Sequence, residues 1–388
     1  MIEIKNLDVI FGDSPDKALE LLDQGADRDS ILEQTGQVLG VKNASLKVQR
    51  GEICVLMGLS GSGKSSLLRT VNGLNPISRG EVNVEYQGEM INFAAADAET
   101  QRELRMKTIS MVFQKFALMP WLTVEKNVAM PLEIQGLSRK EIKQRVAQQL
   151  EIVGLTEWAK LKPGQLSGGM QQRVGLARAL ATESDILLMD EPFSALDPLI
   201  RSQLQDELLQ LQEKLNKTII FVSHDLDEAL KIGNHIAIMK DGEIVQHSNP
   251  QDIVMNPAND YVRDFVAHTN PLNVLQAEDL MRPLDDLVKG EQGYCLSKRH
   301  DYWLTADKKN VVYRNTPTLV QEWNPDKNIN QLTSTATLVD VKTSMRDVME
   351  IRYHTDHSVI IKDEQKVLGV IGDKELYHSL LGKMLLND

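Results

Sequence analysis

The sequence predicts an α/β fold, a parallel sheet built around a glycine-rich loop and followed by a small α+β module. Three observations predict it. The loop Gly58-Leu59-Ser60-Gly61-Ser62-Gly63-Lys64-Ser65 lies between the apolar run Ile53–Met57 and the helix-like Ser66–Arg69, which is a strand, loop and helix in succession. A second apolar run, Ile186–Met189, leads straight into Asp190-Glu191-Pro192. The motif-bearing pattern then closes near Ala267, in a chain of 388 residues that has ample length for one large domain and a smaller one. The expected division is 1–270 and 271–388.

Taken in order, Ile2, Ile4 and Leu7 alternate as a strand does and end at Phe11-Gly12, and Ala44–Val48 reads as the second strand. Between them, residues 13–40 form an insert. Asp16–Gln24 and Ser30–Thr35 carry Leu19, Leu22, Ile31 and Leu32 among charges, so the insert reads as two short surface helices separated by Gly25. In the loop, glycines 58, 61 and 63 let backbone N–H groups converge on phosphate oxygens without a Cβ in the way, and the helix start adds the positive end of its dipole. Residues Gly58, Leu59, Ser60, Gly61, Ser62, Gly63, Lys64, Ser65 and Ser66 are therefore the candidate nucleotide-binding set. Lys64 would reach the outer phosphates, and the Ser65 hydroxyl would ligate Mg²⁺, a hard ion that takes oxygen ligands.

Further along, Ser138 and Glu141 fit a capping box, and Ile142, Val146, Leu150 and Val153 recur at helical spacing until Gly154. Leu166–Arg173 opens another helix, with Ser167 as N-cap and Gly168-Gly169 leaving amides exposed at a positive terminus, a second anion site. The strand Ile186–Met189 places two carboxylates at its C-terminal end, where open α/β sheets bind ligands. Asp190 would hold Mg²⁺ through water, while Glu191 would orient or deprotonate the water attacking the γ-phosphoryl group. Thr218–Val222 is a strand ending at Ser223-His224, and Ile236–Met239 another, followed by the turn Lys240–Glu243.

The formal net charge of −12 argues against nucleic acid as partner and against docking to anionic lipid, since both need clustered Lys and Arg. No apolar run approaches the roughly 18 residues of a membrane span, and the acidic start lacks the features of a secretion signal, so a soluble, non-exported chain is expected. Cys54 and Cys295 have neither disulfide-scaffold nor metal spacing and read as free thiols in a reducing compartment.

The loop, Gln114 after Met111-Val112-Phe113, the Leu166–Arg173 signature, Asp190-Glu191, Ser194-Ala195-Leu196-Asp197 and His224 resemble, in order, the ATP-binding subunits of ABC transporters over residues 2 to about 267. The resemblance implies a RecA-like core with a helical subdomain. It also implies a head-to-tail dimer of two copies sandwiching two ATP molecules, with Ser167, Gly168, Gly169 and Gln171 serving the partner's nucleotide and Asp197 linking the two sites. By the same resemblance Phe11 would stack on adenine, Gln114 would touch Mg²⁺ and the attacking water, and His224 would contact the γ-phosphate. The stretch Phe116–Val124 falls where the family docks a permease helix. The catalytic set would then be Glu191, His224 and Gln114, with Ser65, Gln114 and Asp190 around the metal.

Within the family, the insert, Phe113–Pro120, Ser194–Arg201 and Ser223–Ala229 resemble the quaternary-amine importer branch, and Gly51–Met57, Val71–Asn75 and Phe265–Leu275 resemble the choline-import ATPase. The expected activity is ATP hydrolysis powering choline import, the alternative being glycine betaine or proline import. Partners would be integral membrane permease subunits and, indirectly, an extracytoplasmic binding protein, placing the chain on the cytoplasmic face of a bacterial inner membrane. A soluble ABC ATPase of translation or DNA repair would usually bring two ATPase domains or a long coiled coil and a basic surface. A catalytically silent subunit would lack Lys64, Glu191 or His224, and all three are present. In the tail, Ser344–Leu376 resembles one degenerate repeat of the cystathionine-β-synthase type, which points to a structural or dimer-supporting module.

Overall fold

The computed structural model describes every residue except 195, 268–271, 273, 298–300, 365 and 381–388. The chain divides into two compact units, Met1–Pro250 and Gln251–Asp388. The junction expected at 270/271 lies outside the described residues, as do Ala195 of the Ser194–Asp197 motif and much of the Phe265–Leu275 stretch.

The first unit has two sheets. Strand β1 (Ile2–Phe11) pairs antiparallel with β2 (Val38–Val48), Ile2 opposite Val48 and Phe11 opposite Val38. β2 begins at Val38, well before the Ala44 start that the apolar alternation predicts. Lys42 and Asn43 interrupt that alternation, yet the Lys42 N–H donates to Gly242 O at 2.9 Å and the Asn43 N–H to the buried Asp8 carboxylate at 2.7 Å, so backbone pairing overrides the polar side chains. The insert is thereby the connection of the β1–β2 hairpin. It holds α1 (Pro15–Asp23) and α2 (Arg28–Thr35), whose Ala18, Leu22 and Ile31 pack on Ile10 and Leu39. Asp27 caps α2 by accepting from the Ser30 N–H at 2.8 Å, and Gly36 ends it at φ +68°. Arg79, on β4 (Arg79–Tyr86), donates to both Asp23 carboxylate oxygens and to Asp8, tying the insert to the sheet. With β5 (Glu89–Asn92), this sheet runs β2-β1-β4-β5.

The second sheet contains β3 (Ile53–Met57), β6 (Ile109–Val112), β7 (Ile186–Asp190), β8 (Thr218–Val222), β9 (His235–Lys240) and β10 (Glu243–Ser248), in the order β10-β9-β3-β8-β7-β6. All neighbours are parallel except the edge pair β10/β9. Every residue of β3, β7 and β8 is buried, as strands covered on both faces require. One core joins the two sheets, from Ile2 and Val48 to Leu56, Leu188 and Val222. Helices α3 (Lys64–Leu68) and α4 (Ala98–Glu103) precede β6; α5 (Val124–Ile134), α6 (Arg139–Ile152) and α7 (Gly168–Ala181) fill the long connection from β6 to β7 and pack on one another. The expected capping box forms at α6, with Ser138 and Glu141 bonding each other's backbone N–H at 3.3 and 3.0 Å. α8 (Pro198–Leu215) and α9 (Leu226–Ile232) flank β8.

The second unit is α+β. A mixed sheet carries the helices Met345–Thr355 and Asp373–Leu380 around the strands Val359–Asp363 and Lys366–Ile371, which covers the stretch resembling one repeat. A five-stranded antiparallel meander occupies Lys289–Leu319, a stretch for which the sequence analysis assigns no individual elements. Cys54 and Cys295 are both buried. No helix among the described residues is long and apolar enough to cross a membrane.

Ile31 is fully buried in the small cluster that seats the insert. Ile31→Ala should cost about 2–4 kcal/mol locally, and hydrogen exchange should quicken across 27–37 while β3 amides remain protected.

Candidate active site

β3 ends at the carboxyl edge of the parallel sheet, and the chain turns through Gly58 (φ +142°), Gly61 (φ +80°) and Gly63 (φ +102°) into α3. Side chains are excluded here by contact as well as by conformation. A Cβ on Gly58 would lie 2.2 Å from Met239 O, and one on Gly63 2.4 Å from Gly40 O, so β9 and β2 press backbone directly on the loop. Lys64 is 6% exposed and its Nζ donates to Gly58 O at 2.8 Å and Leu59 O at 3.0 Å. Burial holds its ammonium below the usual lysine range, opposed by the charges of Glu191 and Asp190.

Two carboxylates face this loop from the end of β7. Asp190 is fully buried; its Oδ1 accepts from Ser65 Oγ at 2.7 Å and its Oδ2 from Arg69 Nη2 at 2.8 Å. The Ser65 hydroxyl and Asp190 carboxylate are hard oxygen donors side by side, a fit for Mg²⁺. Glu191 stands at φ +46°, a left-handed conformation that a β-strand end rarely adopts, and its N–H donates to Val222 O at 3.2 Å. That turn sends its carboxylate into the cleft, where Oε2 accepts from Gln114 Nε2 at 3.0 Å and lies 3.4 Å from His224 Nδ1. The segment carrying His224 is pinned from below. Ser223 Oγ donates to Glu228 Oε2 at 2.5 Å and accepts from the Asp225 N–H at 3.0 Å, and burial raises the Glu228 carboxyl above its ordinary value.

These elements enclose a cleft of about 550 Å³, lined by Phe11, Val38 and Gly40 from the hairpin, by Ser60, Gly61 and Gly63–Ser66, and by Gln114, Glu191 and His224. Forty-seven positions separate Phe11 from Gly58, yet Phe11 reaches the cleft because the insert folds within the hairpin and leaves the β1–β2 pairing intact. Gly40 makes room for it, since a Cβ there would meet Phe11 Cε2 at 2.5 Å. Gly58, Leu59, Ser62 and Asp190 are not among the residues that line the cleft. Ser167, Gly168, Gly169, Gln171 and Asp197 are not brought to this cleft. Ser167 caps α7 through the Met170 N–H at 3.3 Å, Gln171 donates to Leu166 O at 3.2 Å, and Asp197 caps α8 through the Ile200 N–H at 3.0 Å.

Two cations at the site are not evident from sequence. Arg69 neutralises Asp190, and Arg28 of the insert lines the cleft while its Nη1 donates to Gly61 O at 2.7 Å. One signal for Arg28 is present: it sits in the first turn of a helix, where the dipole favours acids.

A separate apolar groove of about 440 Å³ adjoins the chain after Gln114. Phe113, Ala117, Met119, Met130, Pro131 and Ile134 are among the residues that line it. Phe116 and Ala117 have φ of +49° and +48°, and Arg178 near the end of α7 holds their carbonyls at 3.0 and 2.6 Å.

The ABC transporter family model matches residues 41–194. The chain is 51% identical over 281 residues, 72% of its length and 69% of the relative's, to the glycine betaine/proline betaine transport system ATP-binding protein ProV of Escherichia coli. It is 41% identical over 392 aligned positions, 98% of the chain and 92% of the relative, to the glycine betaine transport ATP-binding protein OpuAA of Bacillus subtilis. Identity to the trimethylamine N-oxide transport system ATP-binding protein TmoW of Pelagibacter ubique is 45% over 281 residues, covering 72% of the chain and 81% of the relative. Among solved structures, the dimeric ATP-binding cassette MJ0796 bound to ADP and Pi aligns with a TM-score of 0.55 at 31% identity, covering 64% of this chain and 99% of that one.

Because desolvation depresses the Lys64 ammonium, its charge should be lost at lower pH than that of an exposed lysine. Nucleotide affinity titrated from about pH 7 to about pH 10 should therefore fall before an ordinary lysine would deprotonate, and Lys64→Arg, charged throughout, should flatten that decline.

Proposed function

The chain belongs to the ATP-binding proteins of ABC transporters, and on that premise we propose that its ATP hydrolysis powers import of glycine betaine or a closely related methylated amine through partner permease subunits. The observation that carries the hydrolytic part is the convergence of Lys64, the Ser65–Asp190 pair and the Gln114–Glu191–His224 cluster on one glycine-lined cleft. The transported solute is argued from the names of the relatives alone, which favour the betaine reading over choline. No residue of an ATPase subunit touches the solute.

In this reading the loop amides of 58–66 and Lys64 hold the phosphate chain, and Phe11 packs on the base. Ser65 and Asp190, with Gln114, would hold Mg²⁺, which when bound neutralises phosphate charge. Glu191 orients the attacking water and accepts its proton, while Gln114 and His224 fix the carboxylate and the γ-phosphate position. Glu191's left-handed backbone supports the role, since strain of that kind is retained where it aims a reactive group.

Ser167, Gly168, Gly169, Gln171 and Asp197 lie away from the cleft of their own chain, and this supports a head-to-tail dimer in which they complete the partner's site. The solved cassette at 31% identity is itself a dimer. Nucleotide must bind the closed dimer better than the open one if it is to drive the permease between orientations. The groove beside Phe116–Val124 is the proposed seat of a permease helix, which would hold the chain peripherally on the cytoplasmic face of a bacterial inner membrane. Residues 1–270 would form the ATPase domain and 271–388 a structural or dimer-supporting module.

Glu191→Gln keeps the shape and loses the base, so turnover should fall at least about 100-fold while ATP-bound dimers accumulate in size-exclusion chromatography. Rapid hydrolysis by that variant would overturn the assignment. In source cells lacking the chain, uptake of labelled glycine betaine should vanish and return with a plasmid copy but not with a copy carrying Glu191→Gln; loss of labelled choline uptake alone would restore the choline reading.

A further inference from the structure

The insert contributes more than a surface elaboration. Its position is fixed by Ile31 and Leu22 in their small core and by the Asp23–Arg79 pair, and Asp27 sets the start of α2. Arg28 is the first residue of that helix. Its half-buried guanidinium reaches across to the phosphate loop, donates one hydrogen bond to Gly61 O at 2.7 Å, and lines the same cleft as Lys64 and Ser65. Guanidinium has five donors in a planar fork, and the carbonyl bond uses one. A cation at a helix start opposes the dipole, so the position carries a charge that the helix itself does not favour. Asp27 and Asp29 flank Arg28 in sequence, the first engaged with the Ser30 N–H. Inside the cleft the acidic lining group is Glu191, and the lysine and arginine that line it are Lys64 and Arg28.

We propose that Arg28 is a phosphate-chain ligand, its guanidinium bridging the Gly61 carbonyl and the phosphates of the bound nucleotide, so that the hairpin insert forms part of the nucleotide site. The proposal rests on the ATPase reading of that cleft. Arg28 acts there as a second fixed positive charge beside Lys64, and it couples the order of the insert to nucleotide binding. A bidentate fork suits phosphate oxygens better than an ammonium does.

The test uses the full chain and fluorescent MANT-ATP and MANT-ADP, titrated without Mg²⁺ at about 50 and about 300 mM KCl. Arg28→Gln, which removes the charge, should bind MANT-ATP roughly tenfold more weakly at low salt and lose part of the salt dependence, because the screened charge is gone. Arg28→Lys should recover part of the affinity and the salt dependence, and parent-like hydrogen exchange across 27–37 in both variants reports that the insert stays folded. Affinity of Arg28→Gln within twofold of the parent, or an equal loss at both salt concentrations, would overturn the proposal and leave Arg28 a clamp on the loop. Lys64→Ala serves as the control for the underlying reading: if it binds MANT-ATP like the parent, the cleft is not the nucleotide site, whereas its failure alongside an unaffected Arg28→Gln sinks only the role of Arg28.

Discussion

A fully buried carboxylate, Asp190, sets the terms on which the rest of the first unit is arranged. Stripping water from such a charge costs several kcal/mol unless donors replace it. The donors are Ser65 and Arg69, both on the segment that follows the glycine-rich loop. Satisfying Asp190 therefore brings α3 against the end of β7, although β8 separates β7 from β3 in the sheet. At its two ends the loop between β3 and α3 then has no room for a side chain, since β9 closes on Gly58 and β2 on Gly63. Glu191, the very next residue, turns through the left-handed region and lines the cleft. One desolvated charge thus dictates the position of the loop, the helix and the neighbouring carboxylate.

Much of this can be read from residue order. The loop glycines, the apolar strands of the parallel sheet and the Ser138–Glu141 box are local signals, and local signals survive without tertiary context. What escapes is set by partners distant in sequence. The first half of β2 is polar at Lys42 and Asn43, and it becomes a strand because Gly242 and Asp8 accept its N–H groups. The meander over 289–319 is built of strands of two to five residues, too short for alternation to register. Arg28 and Arg69 are ordinary surface arginines by composition, and only the folded chain puts them beside a loop carbonyl and a buried carboxylate. The transported solute is the least legible of all, because the residues that line the cleft all serve the nucleotide in the proposed function.

The helix α7 joins two regions that the proposed function needs to keep in step. Its first turn is the capped Ser167-Gly168-Gly169 terminus, and Arg178 near its far end grips the carbonyls of Phe116 and Ala117. Those residues closely follow Gln114, whose amide holds Glu191. A single helix of 14 residues therefore spans from a terminus outside the cleft to the chain beside it.

The placement of the insert inside a hairpin connection has an evolutionary reading. Closing a longer connection costs little, about 0.6 kcal/mol for each doubling of length. Because Phe11 remains opposite Val38, the chain between them leaves that end of the hairpin paired, and it packs on Ile10 and Leu39 of the same two strands. Such a position is a free port in an otherwise closed architecture. An element docked there reaches the cleft rim without interrupting the strands behind it.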